Sequence, residues 1–284
     1  MPLDYDALLA STIEDEPFGY SEQDSMLYAL GVGFGEDAAD RNELPYVYEG
    51  NGLQTVPTMA SMLLPILPIA SAGLDMSLLL HREERLDLYR PLPATGRMLC
   101  NRHVAAVHDL GKGRGARIVI QSEVRRAKDD TVLFTSGQTL IARGDGGFGG
   151  PRGTGPERHR LPSREPDLSC DVPTRSDQAL LFRLCGDLNP LHADPAYARE
   201  SGFERPILHG RCTYGIACRS ILQTICDYDF TLIAGFDARF TSPVYPGDVL
   251  TTEMWQDRNI VSFRCLVASR GVVVIDNGKC TLAT

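Results

Sequence analysis

The chain has 284 residues, 43% hydrophobic and 23% charged, a globular composition that excludes disordered and fibrous classes and leaves room for two domains. No apolar run reaches the ~18–20 residues needed to cross a bilayer, because the longest, Met59–Ala72, carries two prolines and two serines. With 37 acidic against 28 basic residues the net charge is −9, the wrong sign for gripping nucleic acid through its phosphates, although a few local cations could still hold an anionic small molecule.

In chain order, Thr58–Ala70 is apolar enough for a buried helix whose later part Pro65 and Pro68 should break. Alternating segments predict strands near 75–90, 96–108, 115–126 and 131–143. A glycine- and proline-dense stretch from Gly144 then leads into a polar region without periodicity, so 151–175 is expected to be a linker. Beyond it a helix is expected at about Arg211–Ile225, with strands near 231–240, 248–257, 260–269 and 272–283.

The two halves resemble each other. Residues 131–143 align without a gap on 272–284, with Val, Gly and Ala coinciding at 132/273, 137/278 and 142/283. The pattern is a duplicated unit of one helix and four strands. Cys212, Tyr214, Ile216, Cys218, Ile221 and Leu222 make the second helix apolar on nearly every face, so a sheet must wrap it. The expected fold is therefore α+β, a double hot-dog: 1–150 as the first unit, 151–175 as linker, and 176–284 as the second.

Cys185-Gly-Asp-Leu-Asn-Pro-Leu-His192 gathers three polar groups, Asp187, Asn189 and His192, where Pro190 keeps Asn189 out of the α region. Two readings stand side by side: an acid–base pair, or an Asx-type turn in which Asp187 or Asn189 caps a helix near Pro195–Glu200. Gly210 weighs for chemistry, since it precedes the buried helix and offers a backbone N–H at a positive helix end. Acid, base and oxyanion donor together suit the addition of water to a double bond conjugated to a carbonyl.

Gly186-Asp-Leu-Asn-Pro-Leu-His192 with Pro206-Ile-Leu-His-Gly210 closely resembles the hydratase 2 motif of the MaoC-like (R)-specific enoyl-CoA hydratases. The resemblance extends through Tyr28-Ala-Leu-Gly-Val-Gly33, Val47-Tyr-Glu-Gly50, Gly146-Gly-Phe-Gly-Gly150, Ala238-Arg-Phe240 and Pro243-Val-Tyr-Pro-Gly247. It implies syn hydration of trans-2-enoyl-CoA to the (3R)-3-hydroxyacyl product, with medium or long chains. Asp187 and His192 would be the catalytic pair, Asn189 would position the water, and the Gly210 N–H would meet the thioester oxygen. His81, Arg82, Lys112 and Phe240 match substrate-binding positions, although Arg82 departs from the glycine expected there; Arg205 and Arg211 are further CoA candidates. The first unit lacks Asp-x-Asn-Pro-x-His and would bind the acyl chain, with Leu63, Leu64, Ile66 and Leu67 as lining.

Glu49 is expected to give hydrogen-bonded support, and His209 to pack at the helix start. The eight cysteines lack zinc-site spacing, so no metal and no cofactor beyond the CoA thioester substrate is expected. The start of the chain lacks signal-peptide character, which points to the cytoplasm, and analogy suggests a homodimer without nucleic-acid or membrane partners. Competing functions are a dehydratase acting on carrier-bound 3-hydroxyacyl chains, a hot-dog acyl-CoA thioesterase and a non-catalytic acyl-binding subunit.

Overall fold

The computed structural model describes residues 3–37 and 39–284. Ten strands, β1 (Thr12–Tyr20), β2 (Leu79–Leu88), β3 (Gly96–Asp109), β4 (Ala116–Arg126), β5 (Val132–Ala142), β6 (Leu168–Pro173), β7 (Ile233–Phe240), β8 (Val249–Asp257), β9 (Ile260–Val267) and β10 (Val272–Leu282), form one sheet. Their order is β1-β3-β4-β5-β2-β7-β10-β9-β8-β6. Every pairing is antiparallel. The order is a mirror about the β2–β7 seam, where Glu83 pairs with Arg239, Glu84 with Ala238 and Asp87 with Gly235. Gly235 allows that close approach, because a Cβ there would lie 3.2 Å from the Leu86 carbonyl oxygen.

The repeat read in the sequence occupies β5 and β10, which hold equivalent places in the mirrored order. Its shared glycine has diverged in purpose. At Gly278 a Cβ would stand 2.5 Å from the Phe263 carbonyl oxygen, whereas at Gly137 it would only touch the Arg85 side chain at 3.6 Å.

In the second half the helix runs from Gly210 to Thr224, and every residue from Cys212 to Leu222 is buried. Its polar members are satisfied internally: Ser220 Oγ donates to the Ile216 carbonyl and Thr224 Oγ1 to that of Ser220. Arg219 pairs with buried Glu43 at 2.7 Å. The sheet wraps this helix, and both halves together make a double hot-dog.

The first half departs from the expected helix over 58–70. Only 3₁₀ turns at Pro57–Ser61 and Ile69–Ala72 survive, with irregular chain between them. Pro65 and Pro68 remove two helical donors within four residues, which explains the break. Leu64 and Leu67 turn inward at 8% and 4% exposure, but Ile66 is 90% exposed and cannot line an interior, contrary to expectation. β2 starts later than the pattern suggested, at Leu79, because Asp75 caps a 3₁₀ turn at Met76–Leu78.

β6 lies inside the segment expected to be linker, 151–175, and pairs with β8 along the outer edge. Only Val172 of this strand is buried, so no alternation marks it in sequence. β1 is its mirror counterpart at the opposite edge and equally polar outside. Six of the eight thiols are buried. Among the described residues no helix is long and apolar enough to cross a membrane.

Candidate active site

The loop between two 3₁₀ turns, Arg183–Cys185 and Pro190–His192, presents the acid–base candidates. Gly186 reverses the chain at φ 120°, a conformation that only glycine adopts without strain. The Asn189 amide N–H then donates to Asp187 Oδ1 at 3.2 Å, and Asn189 Oδ1 accepts the Leu191 N–H at 3.0 Å. Turn and chemistry thus coexist in one segment. The next helix, Pro195–Glu200, is capped by Asp194 rather than by Asp187 or Asn189.

His192 is buried, and its Nδ1–H donates to the Ile207 carbonyl oxygen at 2.9 Å. That bond fixes the tautomer and leaves Nε2 as a bare acceptor. His209 is 1% exposed, donates from Nε2 to the Asp187 carbonyl oxygen at 3.1 Å, and stacks on His192 with ring centroids 3.6 Å apart at 26°. Among the described residues its Nδ1 has no partner. His209 therefore packs at the helix start, as expected, and also holds the Asp187 loop from behind.

The Asp187 carboxylate and both imidazoles each bring one atom within 4.8 Å of the others. Burial pushes His192 below the ordinary histidine range against the pull of the Ile207 carbonyl and the Asp187 carboxylate. Burial and then the facing His192 ring push His209 lower still. Both rings are neutral near pH 7.

Gly210 opens the 15-residue helix, and no side chain caps it. Its N–H is one of the four at a helix start that lack an intrahelical partner, at the positive end of the dipole. A Cβ on Gly210 would lie 3.4 Å from the Phe240 ring, so Phe240, at the end of β7, borders this amide. The His81 ring stands 4.9 Å from that of Phe240. His81 and Phe240 thus bring the seam strands β2 and β7 up to the helix tip.

Arg82 Nη1 donates to the Phe240 carbonyl oxygen at 2.8 Å, which anchors this side chain to the end of β7. Lys112 is exposed in the β3–β4 hairpin, its backbone beside Gly147. The Asp109 carboxylate binds that hairpin to the Gly146–Gly150 loop by accepting the N–H groups of Gly111, Gly147 and Gly149, each at 2.8 Å. Arg143, at the base of the loop, donates to the Ser201 carbonyl oxygen at 3.3 Å and so reaches the segment beyond His192. The structure thus joins Asp187, His192 and Gly210 with His81 and Phe240, and leaves Lys112 on the loop cluster.

Two further assignments change. Glu49 is exposed and makes no side-chain hydrogen bond among the described residues, so the expected support is supplied instead by Glu43, which accepts from the Gly35 N–H and from Arg219. Arg211 is tied down by Glu84, a residue that no sequence motif marks. Glu84 is fully buried and accepts from Arg211 Nε at 3.2 Å and Ser136 Oγ at 2.9 Å, while His81 Nε2, which donates to the Glu83 carbonyl oxygen at 3.0 Å, stands 3.1 Å from the same carboxylate. Burial opposes its charge, yet Arg211, His81 and Ser136 hold the carboxyl down to about 2. The available signal was a glutamate at an inward position of the alternation, ahead of inward Leu86 and Leu88.

Residues 18–144 match the MFE-2 hydratase 2 N-terminal domain and residues 158–277 the MaoC like domain. Enoyl-CoA hydratase ChsH3 of Mycobacterium tuberculosis is 35% identical over 98% of this chain and 98% of its own. Peroxisomal enoyl-CoA hydratase 2 of Arabidopsis thaliana is 36% identical over 95% of this chain and 93% of its own. Among solved structures, a MaoC-like dehydratase from Phytophthora capsici superposes with a TM-score of 0.84 at 28% identity, covering 99% of this chain and 98% of that one.

Proposed function

Because the chain belongs to the MaoC-like hydratase 2 family and is an (R)-specific enoyl-CoA hydratase 2, a hydro-lyase, we propose that Asp187, His192 and the Gly210 N–H carry its reaction. Hydration needs one proton taken from water, one delivered to the α carbon, and a donor for the charge that builds on the thioester oxygen. His192 Nε2, bare and neutral, takes the water proton. Asp187 delivers the α proton, so the pair carries one proton between its members before attack. After attack, the proton on His192 passes back to Asp187, which closes the cycle.

Both groups act from one side of the substrate, so the addition is syn. The Asn189 side-chain amide orients the water, while its Oδ1 stays bound to the Leu191 N–H. His81 and Phe240 border the thioester, and Lys112 meets CoA phosphate. The acyl chain, of medium or greater length, enters the first half where the helix is interrupted, against Leu63, Leu64 and Leu67. In this reading the first half, about 1–150, binds and the second, about 176–284, reacts.

The observation that carries the proposal is the convergence of the Asp187 carboxylate and the His192 imidazole beside an uncapped helix start. Its test is Asp187→Asn with decenoyl-CoA. Loss of enoyl absorbance should slow by about 10³-fold or more, while the fold is retained and no free thiol is released by wild type or variant. A variant that hydrates at the wild-type rate contradicts the assignment, and stoichiometric thiol release would favour a thioesterase.

A further inference from the structure

The oxyanion donor sits on the second half, but what holds its surroundings comes from the first. Glu84 lies on β2, at the seam, paired in register with Ala238 of β7. Its buried carboxylate reaches two residues that frame the helix tip. One is Arg211, the residue after Gly210, through a 3.2 Å contact from Nε; the other is His81, 3.1 Å away, whose ring packs on Phe240. Phe240 in turn faces Gly210, its ring 3.4 Å from where a Cβ on that residue would stand. Glu84 is itself pinned by Ser136 of β5.

We propose that Glu84 is a positioning residue for hydration: it locks Arg211 and His81 across the seam, and so sets the direction of the Gly210 N–H and the wall opposite it. This extends the reading of Gly210 as the oxyanion donor and rests on it. Glu84 touches no reacting atom. It binds two groups that converge on one amide from different elements, one from its own strand and one from the catalytic helix. The half without acid–base residues thereby supplies part of the alignment on which the other half depends.

The test uses the full-length protein and three variants. Glu84→Gln keeps the shape of the side chain and removes its charge. Its kcat should fall by about 10²-fold, the cost of a displacement near 1 Å at a reacting centre, with KM for decenoyl-CoA changed by less than threefold. Arg211→Met should show the same split, and the double variant should lose less kcat than the product of the two single losses, because both share the Glu84–Arg211 contact. Should Glu84→Gln fail to fold, Arg211→Lys replaces it, since it retains the charge opposite Glu84 but not the directed Nε–H; kcat should again fall with KM held.

Wild-type kcat in folded Glu84→Gln, or in Arg211→Lys if that variant is used, overturns the proposal, as does a loss that merely tracks the folded fraction. Gly210→Pro separates this failure from failure of the underlying reading. If Gly210→Pro loses activity while Glu84→Gln keeps it, only the positioning role is wrong. If Gly210→Pro is fully active, the oxyanion assignment and the positioning role fall together.

Discussion

The two halves enter their central segments with almost the same backbone. Val56 has φ −63° and ψ 122° before Pro57, and His209 has φ −59° and ψ 137° before Gly210. Beyond these residues the halves diverge. The second half continues into an unbroken apolar helix whose first residue, Gly210, carries an N–H without an intrahelical partner. The first half begins with a proline, which has no N–H, and breaks again at Pro65 and Pro68. Its interior carries polar groups where the other has a helix: Arg102 donates to the Pro65 carbonyl oxygen at 2.6 Å and to Gln138 Oε1 at 2.7 Å, beside Glu84 and Ser136. A sheet scaffold thus tolerates two fillings, and only one opens its central segment with a residue that has an N–H.

That contrast can be broken at one atom. Gly210→Pro gives the second half the tip of the first, and the backbone before it already suits a proline. Its kcat should drop by about 10²–10³-fold with little change in thermal stability. Gly210→Ala keeps the N–H and places a Cβ at ordinary contact distance from Phe240, so it should retain most activity. Equal rates for the two variants would remove the oxyanion role.

The packing side of the contrast is sharpened by equilibrium denaturation. Leu222, fully buried in the unbroken helix, should cost about 2–5 kcal/mol on truncation to alanine. Ile66, exposed in the interrupted segment, should cost less than about 0.5 kcal/mol. A large loss at Ile66 would mean that this segment packs inward.

A smaller effect distinguishes the halves by pH. Only the second half holds the stacked pair His192 and His209, both lowered below the usual range by burial. Their folded values lie below the unfolded value near 6.5. The unfolded chain therefore binds more protons as pH falls through that value, and stability contributed by the neutral rings, complete above it, declines below it. Unfolding free energies from urea titrations should fall between pH 7.5 and 5.5 by about 1 kcal/mol per pH unit. The decline should flatten in the variant carrying both His192→Gln and His209→Gln; an unchanged slope there would assign the effect to other groups.

Much of this was legible in sequence because the informative segments obey simple periodicity. Eight inner strands and the helix beginning at Gly210 follow from alternation, an all-round apolar face and the repeat at 131–143 and 272–284. The edge strands β1 and β6 were not, since one polar face and few buried residues leave no pattern. The proximity of Asp187 and His192 and the helix start at Gly210 were legible from residue types and from the turn that Pro190 enforces. Glu84 and Arg211 were not paired, because a contact between residues 127 positions apart depends on the seam between β2 and β7, which local pattern does not reveal. The role expected of Glu49 failed for a related reason: two carboxylates lie close in sequence, and only burial separates Glu43 from it.

The one-sided placement of Asp187 and His192 is tested most directly by hydrating crotonyl-CoA in D₂O and determining the relative configuration at C2 and C3 of the product. The account predicts a (3R)-hydroxyl with deuterium added at C2 from the same face. Deuterium on the opposite face, or a (3S) product, would contradict it.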